Sequence, residues 1–100
     1  MKKYIATEHG QIVAKALTAM RDKAGFSQRE LAKKLKKANS FVAHCELGQR
    51  RVDIAEFFWI CQACGASPQK EIKKIMQQFA KAEARSNKII PFKKKDSDDK

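Results

Sequence analysis

Apolar residues along the chain recur at spacings of one, three and four positions, which is the pattern of a helix that buries one face. The first such stretch comprises Ile12, Val13, Ala16, Leu17 and Met20. Four further stretches of apolar residues follow, and none of the sequence shows the alternation expected of a β-strand. The pattern predicts an all-α protein, a compact domain of five helices.

Residues that begin or end helices separate these stretches. Gly25 can end the first helix in the left-handed conformation that helix C-termini favour. Ser27 with Glu30, and Asp53 with Glu56, have the spacing of a capping box, in which each side chain satisfies a backbone N–H of the first turn. These signals predict that the second helix begins after Ser27 and the fourth after Asp53.

The second and third helices are short and a tight turn joins them, within residues 27–46. Leu31, Ala32 and Leu35 form the inward face of the second helix, and Val42 and Cys45 that of the third. The outer surface of the second helix is basic, because Arg29, Lys33 and Lys36 share one face. This is the shape of a helix-turn-helix motif, which points to DNA.

The fourth and fifth helices are predicted from two longer apolar patterns. In the fourth, one face is expected to hold Ile54, Phe57, Phe58, Cys61 and Cys64. In the fifth, the stripe is Ile72, Ile75, Met76 and Phe79. We therefore place the domain at residues 1–85, followed by a charged tail at residues 86–100 that we expect to be mobile.

Trp59 lies almost opposite the predicted apolar face of the fourth helix and is therefore expected outside the core. It would lie in a homodimer interface, or under a tail whose apolar segment at residues 89–92 folds back, or be a single exposed aromatic residue. The sequence leaves these three alternatives open.

The net charge of the chain indicates which class of partner the protein would bind. The 100 residues include 22 Lys and Arg against 11 Asp and Glu, so the formal net charge is +11. Such a field attracts polyanions, and nucleic acid is the leading candidate. No apolar run approaches the ~18 residues of a membrane span, and the N-terminus has no apolar signal stretch. We expect a cytoplasmic protein with no membrane partner.

The residues with reactive side chains do not form a catalytic or metal-binding pattern. Cys61 and Cys64 have the spacing of a metal ligand pair, but no second Cys/His pair accompanies them, and both fall on an apolar stripe. His44 has no orienting partner visible in the sequence. We expect no enzymatic activity, metal, cofactor or small-molecule substrate.

An ordered series of residues resembles a known family. The series is Arg21, Ala24-Gly25, Ser27-Gln28-x-Glu30-Leu31-Ala32, Ser40-Phe41-Val42, Glu46, Gly48, Arg50-Arg51, Asp53, Glu56-Phe57 and Ala63-x-Gly65. The chain is similar, over about residues 12–79, to the lambda-repressor-like or Xre-type (Cro/C1-type) helix-turn-helix transcriptional regulators of bacteria and phages. The resemblance implies that the third helix lies in the major groove, which is about 12 Å wide.

The resemblance also implies roles for individual residues. Gln28 would anchor a phosphate, while Asn39, Ser40 and His44 would face the bases. A second group would contact the DNA backbone without reading sequence, and it comprises Arg29, Lys37, Arg50 and Arg51. Arg21 and Glu46 occupy positions that form an ion pair between the first and third helices in well-known members of the family.

Two residues depart from the family pattern. Lys36 stands where the turn usually carries glycine, so either it adopts a left-handed conformation at a cost of about 1 kcal/mol or the turn differs. Ala43 stands where a serine often contacts phosphate. Both affect the expected contacts but not the expected fold.

These observations predict a sequence-specific regulator of transcription that binds double-stranded DNA, acting as a repressor through occupancy of an operator, as a homodimer. One alternative is an antitoxin that also binds a toxin protein through the fifth helix or the tail. Another is a nucleic-acid binder driven by charge alone, whose affinity would collapse in salt.

Overall fold

The computed structural model describes residues 7–86, and these form five α-helices and no strand. Their bounds are α1 (Glu8–Ala24), α2 (Gln28–Leu35), α3 (Asn39–Glu46), α4 (Ile54–Cys64) and α5 (Pro68–Ser86). The all-α prediction is therefore confirmed for this part of the chain. The charged tail and the apolar segment at residues 89–92 lie outside the described residues.

The helix ends are set by the residues that the sequence indicated. Gly25 ends α1 with φ of 82°, and both capping boxes are present, Ser27 with Glu30 and Asp53 with Glu56. Each box satisfies two backbone N–H groups that a helix start would otherwise leave without a partner. In contrast, α3 begins after Ala38, whose side chain makes no capping hydrogen bond.

One core lies between the helices. α2 packs against α3 and α4, and α3 also packs against α1. α1 and α4 contact each other, and α5 covers both of them. The buried apolar side chains are Ala14, Leu17, Met20, Leu31, Ala32, Phe41, Val42, Cys45, Phe57, Ile60, Cys61, Ile75 and Ala82. Because Ala32 is fully buried and small, α2 and α3 can approach closely.

Contacts between polar side chains join the two long helices at their far ends. Arg85 of α5 pairs with Glu8 of α1, and His9 Nε2 lies 2.9 Å from Glu83 Oε2. The His9 ring also packs on Phe79, with 4.6 Å between ring centroids. These contacts hold α5 along α1, away from the helix-turn-helix.

The predicted apolar face of α4 was wrong in part. Phe57 and Cys61 are buried as expected, but Ile54 is 77% exposed and Phe58 is 43% exposed, while Ile60 is buried instead. The buried face is therefore rotated from the predicted one. On α5, similarly, Ile75 is buried but Met76 is about half exposed.

Among the described residues, no helix is long and apolar enough to span a membrane.

Candidate nucleic-acid interface

The outward face of α3 carries the three residues that were predicted to read bases. Asn39, Ser40 and His44 are all exposed, and they lie within an arc of about 140° at 100° per residue. Ala43 lies inside that arc, so its small side chain leaves the polar groups around it accessible. The opposite face of α3 is buried and comprises Phe41, Val42 and Cys45.

Glu46, the last residue of α3, joins three helices. Its carboxylate accepts hydrogen bonds from Arg21 Nε of α1 at 2.7 Å and from Gln28 Nε2 of α2 at 2.9 Å. A second Arg21 nitrogen, Nη2, donates to Glu46 Oε1 at 3.0 Å, and Nη1 donates to the carbonyl oxygen of Phe26 at 2.9 Å. The bidentate pair fixes the orientation of α3 relative to α1 and α2.

Burial makes this network strong. The Glu46 side chain is 6% exposed and the Arg21 side chain 14% exposed, so water screens their attraction weakly. The hydrogen bond to Glu46 raises the pKa of Arg21 further above its ordinary value. Gln28 was predicted to anchor phosphate, and the structure holds its amide at the start of α2 through the same carboxylate.

The loop after α3 is anchored to α4 through Arg50. The guanidinium donates to both carboxylate oxygens of the buried Glu56, at 3.0 Å each, and lies 4.8 Å from the Phe41 ring centroid. Its Nη1 also donates to the carbonyl oxygen of Arg51. Arg50 was predicted only to contact DNA phosphate, so sequence reasoning missed its role in holding the loop.

Glu56 is the centre of this second network. Besides Arg50, the backbone N–H of Asp53 donates to it at 3.0 Å, and Lys37 Nζ lies 3.9 Å away. Hydrogen bonds from Arg50 hold the pKa of the Glu56 carboxyl below its usual range, although burial alone would raise it. Glu56 therefore keeps its negative charge while it is enclosed.

The turn between α2 and α3 contains a strained residue. Lys36 adopts φ of 59° and ψ of 43°, so the first of the two alternatives for this position, a left-handed lysine, is correct. Its N–H donates to the carbonyl oxygens of Ala32 and Lys33 and so ends α2. The turn thus keeps the shape that a glycine would give it.

The remaining predicted backbone contacts are exposed cations. Arg29 lies on the first turn of α2, Lys37 in the turn and Arg51 in the loop after α3. Lys37 Nζ also lies 5.1 Å from the Phe41 ring centroid, so this lysine contributes to the packing beneath α3. Together with Arg50, these cations flank the exposed face of α3 along the chain.

The structure does not place Trp59 with the other exposed apolar residues of α4. Its side chain is 50% exposed and borders a groove between α2 and α4. At 100° per residue it lies about 100° around the helix from Phe58.

The cysteines belong to the core, since Cys45 and Cys61 are buried and Cys64 is partly buried. Within the described part of the chain, no cluster of three or more potential metal ligands occurs.

The fold and the exposed polar face of α3 define a protein of helix-turn-helix architecture, and comparison with known proteins gives the family. Residues 13–72 match the model of a helix-turn-helix domain. An XRE-family like protein from Pseudomonas syringae pv. tomato is 33% identical, with 70% of this chain and 85% of that chain covered and a TM-score of 0.65. The chain belongs to the Xre-type helix-turn-helix regulators.

Two further solved structures are similar. The restriction-modification controller protein C.AhdI from Aeromonas hydrophila is 26% identical, with 62% of this chain and 94% of that chain covered and a TM-score of 0.57. The clp gene regulator ClgR from Corynebacterium glutamicum shares the fold at 22% identity, with 81% and 86% covered and a TM-score of 0.66. No curated protein sequence matches the chain. The family consists of DNA-binding regulators of transcription and is not an enzyme class.

Proposed function

We propose that this chain is a sequence-specific repressor that occupies an operator in double-stranded DNA, with α3 in the major groove, and that it has no enzymatic activity. The observation that carries the proposal is the exposed polar face of α3, held in place by the Glu46 network. A helix that reads bases must present several polar side chains at a fixed orientation. Asn39, Ser40 and His44 meet that requirement.

Each part of the interface has a distinct role in the proposal. Asn39 can pair with N6 and N7 of adenine, whereas Ser40 and His44 discriminate less between bases. The Gln28 amide has a second N–H besides the one donated to Glu46, and that N–H would bind a phosphate oxygen. Arg29, Lys37, Arg50 and Arg51 would supply charge to the backbone contacts.

Selection from a random library of duplex DNA tests the proposal. We expect enrichment of one motif whose preference persists at about 200 mM salt. Asn39→Ala should lower affinity for that motif by about 1 to 3 kcal/mol and relax the preference at one position. Gln77→Ala, an exposed polar residue of α5, is the matched control and should leave the selected motif unchanged.

Two results would contradict this function. Enrichment of no motif, with binding that collapses as salt rises, would indicate a binder driven by charge alone. An Asn39→Ala protein that selects the same motif as the unmodified chain would remove α3 as the reading element.

We propose further that the chain acts as a homodimer. In support, Ile54 and Phe58 lie on the face of α4 turned away from the core, and Leu47, just before it in the chain, is 54% exposed. Exposed apolar residues on one face of a helix, such as Ile54 and Phe58, are typical of interfaces. Sedimentation equilibrium should show a dimer that Ile54→Lys dissociates, whereas Lys73→Glu on α5 should not; a monomer at all concentrations contradicts the proposal.

A further inference from the structure

A groove of about 600 Å³ separates the C-terminal end of α2 from α4. This volume falls within the ~300 to 1,000 Å³ typical of sites for small molecules. Leu35 and Phe41 line one side of the groove, and Trp59 and Ile60 line the other. The groove is distinct from the outward face of α3, so the proposed reading of DNA does not account for it.

The apolar surface of the groove is incompletely covered by the protein. Ile60 is buried beneath it, but the Trp59 side chain is 50% exposed. A half-exposed indole beside a concave apolar surface leaves area that a planar molecule would remove from water. The groove therefore favours a ligand with an apolar, flat body.

The charged residues of the groove determine the sign of the ligand. Its lysines are Lys34, Lys36 and Lys37, all in or beside the α2–α3 turn. Among the described residues, no carboxylate lies within ion-pairing distance of Lys34 or Lys36. The carboxylate that lines the groove, Glu56, is already paired with Arg50 and therefore does not neutralise these two ammonium groups.

We propose that this groove binds a small organic anion, an aromatic carboxylate or sulfonate, whose ring packs on Trp59 while its anionic group lies beside Lys34 and Lys36. A second copy of the chain fits less well, because a protein with a net charge of +11 would bring further positive charge to a cationic wall. The proposal does not depend on DNA binding.

Trp59 supplies the readout, since it is the single tryptophan of the chain. Its indole N–H gives one signal in a proton–nitrogen correlation spectrum of the labelled full chain. The probe is 1-naphthoate, and 1-naphthylmethanol is the neutral molecule of matched shape. We expect naphthoate to shift the indole signal in a saturable manner and to bind about tenfold more tightly than the alcohol, as two partly exposed ion pairs would provide.

Variants locate the anionic group. Lys34→Gln and Lys36→Gln should each weaken naphthoate binding about threefold and leave the alcohol unaffected. Lys73→Gln, an exposed lysine of α5 outside the groove, is the matched control and should change neither. Because Lys34, Lys36 and Lys73 are all exposed, each variant is expected to fold, and the dispersion of the signals in its spectrum checks this.

Four results would overturn the inference. The first is no saturable shift of the indole signal, and the second is equal affinity for naphthoate and the alcohol. The third is a shift of the indole signal when the Ile54→Lys protein, which lacks the proposed dimer contact on α4, is diluted without ligand, because that shift would mean that a second copy fills the groove. Equal weakening by Lys73→Gln would likewise show that the effect is one of total charge and not of this site.

Discussion

At the scale of residues, Glu46 and Glu56 organise the region around α3 in the same way. Each is an enclosed carboxylate that accepts a bidentate pair of hydrogen bonds from an arginine, Arg21 for Glu46 and Arg50 for Glu56. Glu46 fixes the end of α3 to the two preceding helices, and Glu56 fixes the following loop to α4. Both pairs hold the proposed reading helix from beneath.

Glu46→Gln should destabilise the fold strongly. The variant keeps a hydrogen-bonding side chain but leaves the enclosed Arg21 charge with only the exposed Asp22 as counter-charge, at a cost of about 3 kcal/mol. Urea denaturation followed by circular dichroism measures the loss. The control is Asp22→Asn, whose exposed pair with Arg21 at 3.5 Å should contribute less than about 1 kcal/mol. If the two variants lost the same free energy of unfolding, burial would not be what makes the Arg21–Glu46 pair important for stability.

Glu56→Gln tests the second carboxylate through pH. The pKa of Glu56 in the folded protein lies below its value in the unfolded chain, which is about 4.3. The ionised carboxylate therefore makes its full contribution to the free energy of unfolding above about pH 4.3. The contribution is lost as pH falls through the folded-state pKa. The variant, which retains the capping side chain, should be less stable by about 2 kcal/mol at pH 7.

The difference between the unmodified chain and Glu56→Gln should therefore shrink as denaturation is repeated from pH 6 down to about pH 3. A difference that stays constant over this range would mean that the charge of Glu56 does not contribute to stability.

Residue contacts were predictable to different extents. The positions of Arg21 and Glu46 followed from resemblance to a family, not from spacing, since 25 residues separate them. The Arg50 contact with Glu56 was missed because Arg50 was assigned to a polar loop and Glu56 only to a capping box. A capping-box glutamate with arginines shortly before it in the chain is the signal that could have revealed the pair.

At the scale of elements, the α2–α3 turn depends on a lysine in a conformation that L-residues adopt reluctantly. Lys36→Gly should raise the free energy of unfolding by about 1 kcal/mol, because glycine removes the left-handed strain. Lys33→Gly, in the last turn of α2, should instead lower it by about 1 kcal/mol. Thermal denaturation of both variants checks the signs, and destabilisation by Lys36→Gly would contradict this account.

The buried face of α4 could not be predicted from the spacing of its apolar residues. The helix reads Ile-Ala-Glu-Phe-Phe-Trp-Ile-Cys-Gln-Ala-Cys, so apolar residues surround it on almost all sides. A pattern that is apolar all round cannot choose a face. The face is chosen by tertiary contacts, in which the Glu56 side chain must reach Arg50, and this rotates Ile54 and Phe58 outward. Capping residues predicted the start of α4 correctly, because they act locally.

At the scale of the whole molecule, the net positive charge of the protein affects both the rate and the salt dependence of its binding to DNA. An excess of cations raises encounter rates with DNA but also makes affinity depend on salt. Since the sequence determines composition, this property was fully predictable, as were the number and order of the helices in the described part of the chain. The exposed apolar residues of α4 and the groove beside Trp59 required the packed structure.

Arg51→Ala should weaken binding to all DNA sequences about equally and lower the slope of log affinity against log salt by about one. Titrations of the selected motif and of an unrelated duplex at several salt concentrations measure both effects. Arg51 is preferable to Arg50 for this test, because removal of Arg50 also leaves Glu56 without its partner. A loss confined to the selected motif would assign Arg51 to reading sequence.

The rates at which the two buried thiols react can report how often the domain opens. Burial raises the pKa of Cys45 and of Cys61 to about 11, so at neutral pH almost none of either sulfur is thiolate. An alkylating reagent can therefore act on them only in molecules that have opened. Cys45 lies on the buried face of α3, and Cys61 of α4 lies in the core against Met20 Sδ. Their separate rates of alkylation would time how often α3 lifts away and how often the whole domain opens.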